Sequence, residues 1–124
     1  MSATKYTAEH EWVRIDDDAL VTIGITAYAQ EQLGDIVFVQ VPEVGRELAQ
    51  GDEAVVIESV KAAADIKMPI DGEVVEVNGA LADAPETVNR DPLGEGWFIK
   101  VRAAKPAQLE ELLDEAAYEQ LTSR

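Results

Sequence analysis

Short runs of apolar and β-branched residues alternate with polar or glycine-rich punctuation along most of the chain. The runs cover Trp12 to Ile15, Leu20 to Ile25, Asp35 to Val41, Glu53 to Val60, Ala64 to Met68, Gly72 to Val77 and Trp97 to Arg102. Between them stand Asp16-Asp17-Asp18, Gly34-Asp35, Pro42 to Gly45, Gly51-Asp52, Asp71-Gly72, Asn78-Gly79 and Pro92 to Gly96. Turn signals at intervals of roughly 8 to 12 residues predict a small all-β sandwich or barrel. The last run alternates, with Trp97, Ile99 and Val101 on one face and Lys100 and Arg102 on the other. Ile36-Val37-Phe38-Val39 is apolar on both faces and predicts a central strand.

Three segments carry helical patterns. Thr26 is placed to cap Ala27 to Leu33, and Gly34 sits where a left-handed residue ends a helix. Asp83-Ala84-Pro85-Glu86 combines a cap, an early proline and an acidic first turn, predicting a short helix to about Val88. From about 106 to 121, Leu109, Leu112, Leu113, Ala116, Ala117 and Leu121 recur at helical spacing. This predicts an amphipathic helix packed on the β core, although a helix docking into a partner's groove would show the same stripe. The chain reads as one domain over 1–124, mainly β, with short helices and a C-terminal helix.

The 124 residues carry 10 Lys+Arg against 25 Asp+Glu, a formal charge of −15. Because 47% of the residues are hydrophobic, that charge does not imply disorder. It does exclude a generic nucleic-acid binder and disfavours an anionic membrane, since both need a basic stripe. No apolar run reaches membrane-spanning length, and Met1 to Thr4 carries no basic-then-apolar leader, so a cytoplasmic protein is expected.

With no cysteine, the chain has no disulfide framework, thiolate nucleophile or Cys-based metal site of its own. His10 is the only histidine, so a His-pair zinc site is also out, and no metal site is expected. The three serines, Ser2, Ser59 and Ser123, have only His10 as a possible base, and no nucleophile-elbow motif is present. Gly94-Glu95-Gly96 lacks the third glycine of a dinucleotide fingerprint, and Asp16-Asp17-Asp18 lacks the glycine and distal Glu of a calcium loop. No catalytic residue is assigned, and the protein is read as not an enzyme. His10-Glu11-Trp12 either lines a small-molecule site or marks where Trp12 anchors the first strand in the core, with His10 and Glu11 at its entrance.

Lys61 lies 10 residues after Gly51 and 11 before Gly72, with an extended run on each side, which puts it at the tip of a hairpin within about 51–78. Ala62, Ala63 and Ala64 leave it sterically open, and no other basic residue falls between Arg46 and Lys67. Composition alone is satisfied by a solvated lysine in a turn. Acting alone, it is a poor candidate for a base or nucleophile. A displayed lysine suits modification better: its stem gives reach, and an amide at its end tethers a cofactor and removes a charge.

Glu58-Ser59-Val60-Lys61-Ala62 and Pro69 to Asn78 closely resemble the lipoyl-attachment region of the glycine cleavage system H-protein family. The likeness covers nearly the whole chain. It takes in His10-Glu11-Trp12, Gly24-Ile25-Thr26, Ala29-Gln30, Leu33-Gly34-Asp35, Val37-Phe38-Val39, Leu81, Val88-Asn89, Gly96-Trp97, Leu112-Leu113 and Tyr118.

The resemblance implies a barrel-sandwich hybrid fold and a monomeric carrier with lipoate joined to Lys61. It implies, as partners, a pyridoxal-phosphate-dependent glycine decarboxylase, a tetrahydrofolate-dependent aminomethyltransferase, dihydrolipoamide dehydrogenase and a lipoylating enzyme. An H-like lipoyl relay for another lipoate-dependent pathway is the alternative use of the same carrier. The resemblance also implies a surface cleft that shelters the loaded arm, with Glu11, Gln32 and Asp65 at cleft-lining positions; Glu11 and Asp65 would accept hydrogen bonds from an aminomethyl ammonium. Gln32 stands where some relatives carry histidine, Tyr28 where histidine is expected, and Lys67 where an aromatic or polar residue is usual. The acidic surface would steer the carrier toward basic rims on the enzymes it visits.

Overall fold

A computed structural model describes residues 3–16 and 20–122. Asp17 and Asp18 of the acidic turn, and Ser2 and Ser123, lie outside the described residues. Among the described residues nine strands form two antiparallel sheets that do not close into a barrel. The larger sheet has the order β1 (Ala3–Tyr6), β2 (Glu11–Ile15), β3 (Leu20–Ile25), β9 (Ile99–Ala103), β8 (Gly72–Val77) and β5 (Glu47–Leu48). The smaller has the order β4 (Ile36–Gln40), β6 (Glu53–Ser59) and β7 (Ala63–Lys67). Four α-helices complete the described residues: α1 (Ala27–Leu33), α2 (Ala80–Asp83), α3 (Thr87–Arg90) and α4 (Glu115–Thr122), with a 3₁₀ helix over Pro106–Glu111.

Period-two alternation builds the core. Val21, Ile23 and Ile25 of β3 meet Val13 of β2, Val74 of β8 and Ile99 and Val101 of β9, and the second sheet adds Val55, Ile57 and Ile66. All of these are buried, and at about 1.5 to 3 kcal/mol for each large apolar side chain their burial dominates stabilisation. Helix α1 forms as its sequence predicts: the Thr26 hydroxyl accepts from Ala29 N–H at 3.3 Å, and Gly34 follows with φ +80°.

Strand β4 is an edge, not the centre, of its sheet. Its register against β6 slips between Ile36 and Phe38, and this bulge turns Val37 (53% exposed) and Phe38 (44% exposed) outward in succession. The two-faced apolar pattern therefore reflects an irregularity in the strand rather than burial on both faces. Trp12 is buried, but outside the main core cluster. It packs over Gly24, its cross-strand partner, and its Nε1 donates to Pro92 O at 2.9 Å. At the same end of the sheet Phe98, not Trp97, enters the core, because the regular alternation starts only at Ile99; Trp97 stays half-buried beneath the Lys100 ammonium.

The C-terminal region holds a helix, but not one continuous from 106 to 121. The 3₁₀ turn ends at Glu111, and Leu113 pairs with Tyr6 through two backbone hydrogen bonds of 2.7 and 2.8 Å. That pairing covers the outer edge of β1, and Asp114 then caps α4 by accepting from Ala117 N–H at 2.8 Å. Leu109 and Tyr118 are buried, whereas Leu121 is exposed. The helix expected to start at Asp83 is instead two short turns: Asp83 ends α2, and Ala84, at φ −136°, separates it from α3. The 51–78 segment also divides, because β6 and β7 form the hairpin while β8 pairs with β5 and β9 in the other sheet.

Candidate functional site

Lys61 occupies the turn between β6 and β7, just beyond the last cross-strand pair, Glu58 with Ala63. Ser59 builds that turn. Its N–H and hydroxyl both donate to Ala62 O, at 2.8 and 3.0 Å, while its oxygen accepts the N–H groups of Lys61 and Ala62 at 3.2 and 3.1 Å. One hydroxyl thus uses its donor and both acceptor sites. The Val60 N–H donates to Asp35 O at 3.0 Å, fastening the turn to the start of β4. Glu58, Lys61 and Ala62 are exposed, and Val60 is 66% exposed. The Lys61 stem lies over Gly34, where an added Cβ would stand 3.3 Å from Lys61 Cε.

Beside this hairpin is an open cavity of about 360 Å³ with three walls. Glu9, His10 and Glu11 form one, Tyr28, Gln32 and Leu33 of α1 another, and Ala64, Asp65 and Ile66 of β7 the third. The three residues read as cleft-lining, Glu11, Gln32 and Asp65, therefore share one cavity, each on a different wall. Leu33 leads directly to Gly34 beneath Lys61, so the turn and the cavity share a boundary.

Glu11 is the unusual group. It is 3% exposed and its Oε2 accepts the Lys67 N–H at 3.3 Å. Burial pushes its carboxyl pKa up to about 7; the charge of Glu9 acts in the same direction, and the Lys67 N–H opposes it. Glu11 also lines a second cavity, of about 380 Å³, between the Tyr6 to Glu9 segment and the Gln50 and Met68 loops. A third cavity, of about 520 Å³, lies elsewhere, at the β5–β8–β9 end of the larger sheet, and includes none of the expected site residues.

Sequence reasoning missed what holds the walls in place. His10 has φ +73°, the one left-handed residue other than glycine among those described, at a cost on the order of 1 to 3 kcal/mol. Its carbonyl accepts from Thr26 N–H at 3.0 Å, its ring packs on Tyr28 at 4.5 Å between centroids, and its Nδ1 shares a 2.8 Å hydrogen bond with Tyr118 Oη. Tyr118 was legible only as part of the terminal match; nothing in helical spacing aims its hydroxyl at a residue 108 positions away. Asn89 was missed in the same way. Its Oδ1 accepts from Ile36 N–H, and its Nδ2 donates to Gln30 Oε1 and Gly34 O, all at 2.8 Å, so it pins the end of α1 to the start of β4.

Among the described residues no group of three or more His, Asp or Glu side chains converges to hold a metal ion, and no helix is long and apolar enough to cross a membrane.

Comparison with known proteins agrees with this architecture. The family model described as glycine cleavage H-protein matches residues 4–124. The glycine cleavage system H protein 1 of Pseudomonas aeruginosa is 61% identical over 121 residues, covering 98% of this chain and 94% of that protein. The glycine cleavage system H protein of Rhodospirillum rubrum is 57% identical over 119 residues, covering 96% and 94%. The crystal structure of a glycine cleavage system H protein from Mycobacterium marinum superposes with a TM-score of 0.89 at 39% identity, over 98% of both chains. The chain belongs to the glycine cleavage H-protein family.

Proposed function

We propose that this protein is the lipoyl carrier of a glycine cleavage system, with lipoate joined as an amide to Lys61 Nζ. The observation that carries the reading is the setting of Lys61, an exposed lysine on a turn locked by Ser59 and bordering an open cavity. The residues fit the group. Lys61 is free to react, the absence of a side chain at Gly34 leaves room for its stem, and the amide replaces a charged amine with a neutral link. When bound, the lipoyl group supplies redox-active sulfur that accepts and releases the aminomethyl group of glycine.

The chain's own residues then hold and shelter. Ser59 keeps the turn rigid, so the reach of the arm starts from a defined point. Within the cavity, Glu11 and Asp65 are acceptors for an ammonium on the cargo, and Gln32 offers an amide from the opposite wall. A cation entering beside Glu11 favours its ionised form, so loading is coupled to loss of a proton from that carboxyl near neutral pH. On this reading the carrier visits a pyridoxal-phosphate-dependent glycine decarboxylase, a tetrahydrofolate-dependent aminomethyltransferase and dihydrolipoamide dehydrogenase in turn, and has no turnover of its own.

The test is the intact mass of protein purified from its own host, with peptide mapping across Glu58 to Lys67. A lipoyl-sized addition on Lys61, reduced by the decarboxylase only when glycine is present, is the expected result. A bare Lys61 in cells that lipoylate other proteins overturns the reading, and glycine-independent reduction moves the carrier to another pathway.

A further inference from the structure

Two walls of the Lys61-proximal cavity meet at one atom that does not line it. Tyr118 Oη, on α4, lies 2.8 Å from His10 Nδ1 and 2.7 Å from Thr26 Oγ. Thr26 caps α1, the helix that supplies Tyr28, Gln32 and Leu33, and His10 precedes Glu11 on the facing wall. The Tyr118 ring is fixed in turn by stacking on Tyr6, with centroids 4.7 Å apart and planes 11° from parallel. A left-handed histidine persists only where its surroundings over-determine it. Here the backbone bond from Thr26 N–H, the Tyr28 ring and the Tyr118 hydroxyl converge on it.

Resting on the arm-cleft reading above, we propose that the Tyr118 hydroxyl is a positioning group for the cleft: it holds His10 in its left-handed turn, and through it sets the Glu11 wall against the α1 wall. The hydrogen bonds form one connected chain: Thr26 Oγ accepts the Ala29 N–H and shares a hydrogen bond with Tyr118 Oη, which shares another with His10 Nδ1. Burial lowers the His10 pKa and so favours its neutral ring. Without the hydroxyl, His10 loses the contact that selects its ring orientation, and Glu11 is released from the geometry that faces it into the cavity.

Tyr118→Phe isolates the hydroxyl, because phenylalanine keeps the stacking on Tyr6. His10→Asn is the second variant: asparagine tolerates positive φ but removes the ring. Because His10 is the only histidine, its ring nitrogens give an unambiguous ¹⁵N signal in the unmodified protein. Tyr118→Phe is expected to shift the Nδ1 resonance without changing the circular dichroism spectrum. In protein lipoylated and loaded with the aminomethyl group, it is expected to shorten the half-life against hydrolysis about tenfold at 25 °C. His10→Asn is expected to match that loss, and the double variant to add little, as residues in one network do.

An Nδ1 resonance unmoved by Tyr118→Phe overturns the proposal, as does an unchanged half-life in the variant beside a protected wild type. A wild type that protects its cargo no better than free dihydrolipoamide overturns the arm-cleft reading itself, and the proposal with it. The two failures are separated by the wild-type measurement alone.

Discussion

The side chain of Lys61 crosses the backbone of Gly34, whose φ of +80° ends helix α1 and whose missing Cβ leaves the crossing open. The turn that displays the lysine and the helix that lines the cavity are therefore in contact at a residue where a side chain is strained by the backbone and crowded by the lysine stem. Gly34→Ala is expected to cost about 1 to 3 kcal/mol from its positive φ, and to slow attachment of lipoate by crowding the Lys61 stem. Urea denaturation and the rate of mass gain with a lipoylating enzyme measure the two effects separately. Lys61→Arg is the control, expected to stay within about 0.5 kcal/mol of wild-type stability and to gain no lipoyl mass at all.

Glu11 makes the fold less stable at alkaline pH. Its carboxyl has a folded pKa of about 7 against 4.5 for an unperturbed glutamate, so between those values the native state holds the proton that the unfolded state has released. Its contribution is thus fully present below pH 4.5 and is lost as pH rises through 7. Glu11→Gln, which cannot ionise, is expected to be more stable than wild type by up to ~3 kcal/mol at pH 8 and to show no such advantage at pH 4. Denaturant midpoints at the two pH values check this, and an advantage that does not change with pH would refute it.

Asn89 is expected to be the most sensitive polar side chain near the site. Asn89→Ala leaves the backbone N–H of buried Ile36 without its acceptor, at a cost of about 2 to 3 kcal/mol. Asn89→Asp keeps that acceptor but sets carboxylate oxygen against Gly34 O and Gln30 Oε1, so it is not expected to rescue. Thermal melts of both variants, with faster amide exchange at Ile36 in the alanine variant, are the measurements. A harmless Asn89→Asp would place the stabilisation in the Ile36 bond alone.

Gly24→Ala puts a methyl group 2.6 Å from the Trp12 ring, with no flexible chain end to give way. The ring must leave its place under Pro92, and the expected loss is about 3 kcal/mol, with a red shift of tryptophan fluorescence. Trp97 is half-buried already and supplies a constant background to that signal.

Much of the fold was legible because its causes are local. The alternation of Val21, Ile23 and Ile25 and of Ile99 and Val101 marks strands wherever they pair, and Thr26 and Gly34 bracket α1 through bonds that span only a few residues. Strands β1 and β5 were not legible. Ala3–Tyr6 and Glu47–Leu48 carry little pattern of their own and are extended because β2 and β8 pair with them. The apolar run at Ile36 to Val39 misled for a related reason: a bulge depends on the partner's register, which no single strand encodes.

Residue order alone determined that Lys61 would stand isolated at a turn and that no thiol or histidine pair would accompany it, since these follow from composition and short-range spacing, whereas the likeness of Glu58 to Ala62 to a lipoyl-attachment region came from family resemblance. Only the tertiary structure decided the cavity beside it. Glu11, Gln32 and Asp65 are brought onto facing walls by a left-handed His10, a capped helix and a second sheet, and those are held by Tyr118 and Asn89 across 108 and 53 positions of chain. The physical reason is that burial and hydrogen-bond direction are properties of the packed neighbourhood. A glutamate becomes an acid with a pKa of about 7 only when water is removed from around it, and that happens only after distant segments have met.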